Sequence, residues 1–232
     1  MTVNELPKTI KDFINSTVVI DYSTAFNALS KYSDASKNKS LDKNLIVIAG
    51  PNGSGKSTLI KQYIEYFNLF DYEYINSDIY ARNLFFDIQD EKEKYLQAFE
   101  IEIIRKENAL KENRSFIMET VNSSDKNFNF YSRCKESGYK ITVIFIATDF
   151  PEINIRRVEK RVSQGGHDVP QDKTISRYYK SIENAKPLFA FADDILIFDN
   201  SIDNKSPELC YYKGKSVIFK SDNIVNWIDK II

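Results

Sequence analysis

Leu45-Ile-Val-Ile-Ala-Gly50-Pro51-Asn52-Gly53-Ser54-Gly55-Lys56-Ser57-Thr58 joins five apolar residues to a glycine-rich run that ends in Lys-Ser-Thr. An unbroken apolar run closed by Gly-Pro has the pattern of a strand buried on both faces of a parallel sheet. The run from Gly50 to Ser57 satisfies G-x-x-x-x-G-K-[ST], the phosphate-loop pattern, directly after that strand and before a helical segment over Lys56 to Phe67. The spacing has a physical reason. Glycines let the backbone wrap so that successive N–H groups point inward at phosphate oxygens, and the helix adds its positive N-terminal end. Lys56 is placed to neutralise the β- and γ-phosphates of ATP, and the Ser57 hydroxyl to ligate Mg²⁺. The pattern arises by chance on the order of once in a hundred chains of this size. Gly50, Pro51, Asn52, Gly53, Ser54, Gly55, Lys56, Ser57 and Thr58 are therefore the expected ATP contacts.

Outward from this stretch, strands and helices alternate. Glu73 to Asn76, Ser115 to Met118, Lys140 to Ala147 and Asp194 to Phe198 read as further strands. Between them, helical patterns run over Ile79 to Asn113, Ser124 to Glu136, Pro151 to Ser163 and Asp172 to Ala185. Such βαβ repetition predicts an α/β fold of the P-loop NTPase kind: an open, mostly parallel sheet with helices on both faces. Its site is expected at the C-terminal ends of the strands. Leu209 to Tyr212 and Ser216 to Phe219 flank Lys213-Gly214-Lys215, a C-terminal β-hairpin, before a helix around Asn223 to Ile231. Ahead of the first strand, Leu6, Ile10, Phe13 and Ile14 repeat at helical spacing, as do Tyr22, Phe26 and Leu29. A polar linker then leads to Asn44. Residues 1–43 thus read as a helical extension with a linker, and 44–232 as the phosphate-loop domain.

Composition removes other classes. With 42% hydrophobic and 28% charged residues over 232 positions, the chain is neither disordered nor fibrous. A net charge of −1 offers no global field for nonspecific binding to nucleic acid or anionic membrane. No apolar run approaches the roughly 20 residues that span a bilayer, and the first residues lack the basic-then-apolar pattern of a signal peptide. Two cysteines, Cys134 and Cys210, are too few for a disulfide framework, which points to a reducing cytoplasm. A single histidine, His167, excludes multi-histidine zinc sites.

The acceptor chemistry must come from the other strand ends. Tyr74-Ile-Asn-Ser-Asp78 brings a carboxylate to the edge that carries the phosphate loop. Asp78 there accepts a proton from an attacking hydroxyl, or else simply caps the next helix. Phe116-Ile-Met-Glu119-Thr120 adds a second carboxylate and a hydroxyl, favoured as substrate contacts, with a Walker B-like hold on Mg²⁺ through water as the other reading of Glu119. Thr148-Asp149 and Ile197-Phe198-Asp199 compete for that second role. Arg156, Arg157, Lys160 and Arg161 form a basic helix, with Arg157 and Arg161 on one face. Gly165-Gly166-His167-Asp168-Val169-Pro170 and Arg177-Tyr-Tyr-Lys-Ser181 come next. A glycine hinge between arginine-bearing helices has the makings of a lid over ATP, with His167 as a substrate contact or a structural part of that lid. Thr120, Asn122, Ser123 and Lys126 offer polar contacts to an acceptor; Tyr80 and Phe128 offer rings for stacking, although ordinary helix packing is the favoured reading of both.

Together these motifs resemble the zeta toxin family of bacterial toxin–antitoxin kinases from about Leu45 to Asn200, and the Gly-Gly-His-Asp-Val-Pro lid resembles that of its shorter relatives. The resemblance implies a kinase-like P-loop domain over 44–232 that uses ATP and Mg²⁺ to phosphorylate a hydroxyl of a nucleotide sugar, UDP-N-acetylglucosamine. It implies Asp78 as the base, Lys56, Arg161 and Arg177 as the catalytic cations, Glu119, Thr120 and His167 as substrate contacts, and an antitoxin protein as partner. The residues by themselves also admit an ATP-dependent switch acting on a partner protein, or transfer to an antibiotic, dinucleotide or polynucleotide hydroxyl.

Overall fold

The computed structural model describes Tyr22, residues 25–27, 43–166 and 168–222, Trp227, Ile228 and Ile231. The expected helix over Leu6 to Ile14, the remainder of the one over Tyr22 to Leu29, the linker as far as Asp42, most of the helix around Asn223 to Ile231, and His167 lie outside the described residues.

The first apolar run forms β1 (Asn44–Ala49), paired on both edges, with β3 (Phe116–Thr120) on one side and β4 (Lys140–Ala147) on the other. That central position is why five successive residues are apolar: Leu45, Val47, Ile48 and Ala49 have no exposed surface. β2 (Glu73–Ile75) and β5 (Asp194–Asp199) extend the parallel array. β6 (Glu208–Lys213) and β7 (Ser216–Lys220) add the antiparallel hairpin, giving the order β2-β3-β1-β4-β5-β6-β7 among the described residues. Every parallel strand therefore delivers its C-terminal end to one edge.

Helix α1 (Lys56–Phe67) connects β1 to β2 and moves one way across the sheet; every later parallel crossover moves the other way. Right-handed connection then places α1 on one face and the remaining helices on the opposite one. These are α2 (Ser77–Leu84), α3 (Glu91–Lys111), α4 (Phe128–Glu136), α5 (Pro151–Ser163), α6 (Gln171–Glu183) and α7 (Ala185–Phe189). The two cores follow strand alternation. Leu45, Val47 and Ala49 pack with α2, α3, α4 and α7, whereas Ile46 and Ile48 pack with α1.

A single helix leaves much of its face uncovered, and Tyr22, Ala25 and Phe26 fill the gap. The Tyr22 ring lies 6.1 Å from Phe198 of β5, and Phe26 lies 5.9 Å from Phe67 of α1. The Tyr22 backbone N–H donates to Gln62 Oε1 at 2.8 Å. Residues ahead of β1 are thus part of the second core.

The stretch expected to be helical throughout from Ile79 to Asn113 is instead two helices. Asp90 starts α3 by accepting from the backbone N–H groups of Lys92 and Glu93, a capping signal that the long periodicity hides. Among the described residues no helix is long and apolar enough to cross a membrane.

Candidate active site

The phosphate loop runs from the end of β1 into α1, and its shape depends on contacts that cannot be read from the motif. Gly50 has φ 144°, and a Cβ there would sit 2.0 Å from the Ile146 carbonyl oxygen, so only glycine allows the loop to pass β4. Asn154 of α5 donates from Nδ2 to the Asn52 carbonyl at 2.6 Å, and Asn200, just past β5, donates to the Ser54 carbonyl at 2.8 Å. Both asparagines are buried. Lys56 folds back across the loop and donates to the Pro51 carbonyl at 3.0 Å.

Beside the loop stands a hydrogen-bonded carboxylate. Glu119 Oε2 accepts from Tyr74 OH, from Asn76 Nδ2 at 2.9 Å and from the Ser57 hydroxyl at 3.4 Å, while Oε1 faces Lys56 Nζ at 3.9 Å. Asn76 also receives the backbone N–H of Asp78 on its Oδ1 at 2.8 Å and so caps α2. This removes the alternative reading of Asp78 as the cap: Asp78, the second residue of the helix, is exposed and lines the cleft. Asp199 is bonded by Ser201 and Trp227, and neither it nor Asp149 lines the cleft. Glu119 is the acid that meets the loop.

Burial pushes the Glu119 carboxyl above the ordinary glutamate range, against the pull of Lys56, and burial also draws Lys56 below the ordinary lysine value. With the folded pKa above the unfolded one, the stability tied to Glu119 is complete below the unfolded pKa and is lost as pH rises through the folded one. Glu119→Gln has no charge to lose. The melting temperature of the wild type, measured relative to Glu119→Gln, will therefore fall as pH rises above about 4, the ordinary glutamate value. A constant difference would contradict the elevated pKa.

A cleft of about 390 Å³ opens in front of the loop. Asn52, Asp78, Glu119, Thr120, Arg161 and Arg177 all line it, so residues separated by up to 125 positions meet at one strand edge. Arg157, on the same helical face as Arg161, is turned elsewhere: its Nε and Nη2 donate to Asp203 Oδ1 at 2.9 and 2.6 Å. Arg161 is the cleft arginine of α5. Asn122, Ser123 and Lys126 also line the cleft. Of the two readings of Tyr80 and Phe128, the structure has ordinary packing and not stacking in the cleft. Tyr80 is buried in the core, and Phe128 packs at 5.5 Å against Phe191. The cleft aromatics are Tyr95 and Phe99, which with Glu102 form one stripe of α3.

A model of the zeta toxin family matches residues 29–216. The chain belongs to the zeta toxin family. An uncharacterized Haemophilus influenzae protein is 28% identical over 139 residues, which cover 60% of this chain and 94% of that one. In fold, this zeta toxin family member is similar to the PezAT toxin–antitoxin system of Streptococcus pneumoniae, with a TM-score of 0.58 and 17% identity over 90% of this chain and 83% of that one. The AvrRxo1-ORF1:-ORF2 complex with ATP gives a TM-score of 0.63 and 14% identity, covering 90% and 69% of the two chains. Family and phosphate loop together support an ATP-dependent kinase.

Proposed function

We propose that this zeta toxin family member transfers the γ-phosphoryl group of ATP to a hydroxyl of UDP-N-acetylglucosamine. The observation that carries the reading is one cleft that Asp78, Arg161 and Arg177 line together with Asn52 of the phosphate loop. Asp78 accepts the acceptor's proton as its oxygen bonds to the γ-phosphorus; the bond to the bridging oxygen breaks and ADP departs. Arg161 and Arg177 offset the charge that gathers on the phosphoryl oxygens. Lys56 steadies the β- and γ-phosphates from inside the loop.

Ser57 and Glu119, a hydroxyl and a carboxylate 3.4 Å apart beside the loop, suit Mg²⁺, which binds through one or two protein oxygens together with phosphates. When bound, the ion neutralises phosphate charge. The hydroxyl and amide groups of Thr120, Asn122 and Ser123, the Lys126 ammonium and the rings of Tyr95 and Phe99 supply what a nucleotide sugar requires: hydrogen bonds, a cation for its diphosphate and stacking surface. The choice of nucleotide sugar rests on the family. Such a reaction belongs in the cytoplasm, where ATP is, and an antitoxin protein is the proposed partner.

Incubation with Mg²⁺, ATP and UDP-N-acetylglucosamine, with ³¹P spectroscopy as the readout, will yield a new sugar phosphomonoester that is absent with Asp78→Asn. If another hydroxyl compound from cell extract is phosphorylated instead, the kinase reading stands and the nucleotide sugar falls.

A further inference from the structure

Tyr22 comes from ahead of the parallel sheet, yet its hydroxyl reaches the back of the phosphate loop. Gly55, the last loop residue before Lys56, has φ 101°, and a Cβ built on it would meet Asn200 Nδ2 at 2.5 Å and Tyr22 OH at 3.3 Å. The ring is fully employed: it stacks on Phe26 at 5.9 Å and meets the edge of Phe198 at 6.1 Å. The hydroxyl is not. Tyr22 has no exposed surface, and its OH lacks a hydrogen-bond partner among the described residues, as does the neighbouring Asn200 Oδ1. Phenylalanine would supply the same packing without the cost of a buried, unsatisfied hydroxyl. Two unpartnered polar atoms, the Tyr22 hydroxyl and Asn200 Oδ1, thus stand in residues that back onto Gly55 of a loop that must wrap around phosphate.

We propose that Tyr22 is a positioning residue for the phosphate loop: its hydroxyl gains its hydrogen bond when the loop closes on nucleotide, so that nucleotide binding and the docking of Tyr22 and Phe26 favour each other. The coupling is reciprocal. It rests on the reading that the loop takes ATP, and it adds that residues numbered ahead of the sheet set the loop's affinity.

Tyr22→Phe tests the hydroxyl alone. Its dissociation constant for Mg·AMPPNP, measured by calorimetry, will rise about fivefold, the size of one net hydrogen bond. The melting temperature of the nucleotide-free variant will equal or exceed that of the wild type. Phe67→Leu serves as the control, because it loosens the same aromatic cluster about 16 Å along α1 from Lys56; it will lower the melting temperature and leave the constant within about twofold. In the wild type, Mg·AMPPNP will slow hydrogen exchange in the peptide 22–27. An unchanged constant in Tyr22→Phe, or exchange at 22–27 that ignores the nucleotide, overturns the proposal. Absence of any Mg·AMPPNP binding by the wild type overturns it together with the ATP reading.

Discussion

Lys56→Ala will abolish nucleotide binding and, with it, all phosphoryl transfer. Lys56 is 7% exposed and is held over the loop by the Pro51 carbonyl, so its ammonium occupies a nearly dry site. Burial works against that charge, and Glu119 at 3.9 Å opposes the effect only in part. A polyphosphate brings the counter-charge the site lacks, and charge-assisted contacts of this kind are among the strongest a protein makes. Without the lysine, phosphate oxygens would face Glu119 with only the magnesium ion between them. The dissociation constant for Mg·AMPPNP should rise at least about a hundredfold, equivalent to ~3 kcal/mol. Calorimetric titration and the rate of ADP release measure the two effects, and circular dichroism confirms the fold. Unchanged affinity and turnover would remove the phosphate-loop assignment.

Asp78→Asn comes second in size and differs in kind. Because Asn76 caps α2 through its own side chain, the amide at position 78 leaves the helix start intact. The substitution keeps the shape and removes the proton acceptor. Transfer should fall between about a hundredfold and ten thousandfold, with ATP affinity unchanged and the loss confined to kcat. Initial rates across acceptor concentrations separate kcat from KM. Wild-type transfer by the variant would place the base elsewhere.

The sheet is legible in the sequence because buried parallel strands must be apolar throughout, and Lys140 to Ala147 and Lys56 to Phe67 have the same limits in sequence pattern and structure. The loop is legible because phosphate dictates glycine spacing. Asp78, Glu119 and Thr120 emerge from the rule that strand ends gather at one edge. The features that escape such reading are set by distant partners. Arg157 and Arg161 share a helical face, and only Asp203, which arrives after β5, takes one of them away from the cleft. Tyr95 and Phe99 look like ordinary periodicity in a helix whose true start at Asp90 is masked; once α3 begins there, its rotation turns that stripe toward the cleft. Asn154, Asn200 and Tyr22 belong to no motif. An asparagine that braces a loop resembles any other asparagine until the fold brings it there.

The brace from Asn200 to Ser54 spans 146 positions, and this fixes when the phosphate site exists during synthesis. At about 5–20 residues per second, a ribosome needs roughly 7–30 s to travel from one to the other. Throughout that interval the glycine motif is already made, while the amide that holds its Ser54 carbonyl is not. Any product that ends before Asn200 carries the phosphate motif without the brace on Ser54. For a member of a toxin family, this separation ties the working site to completion of nearly the whole parallel sheet, so prematurely terminated chains emerge without a finished nucleotide loop.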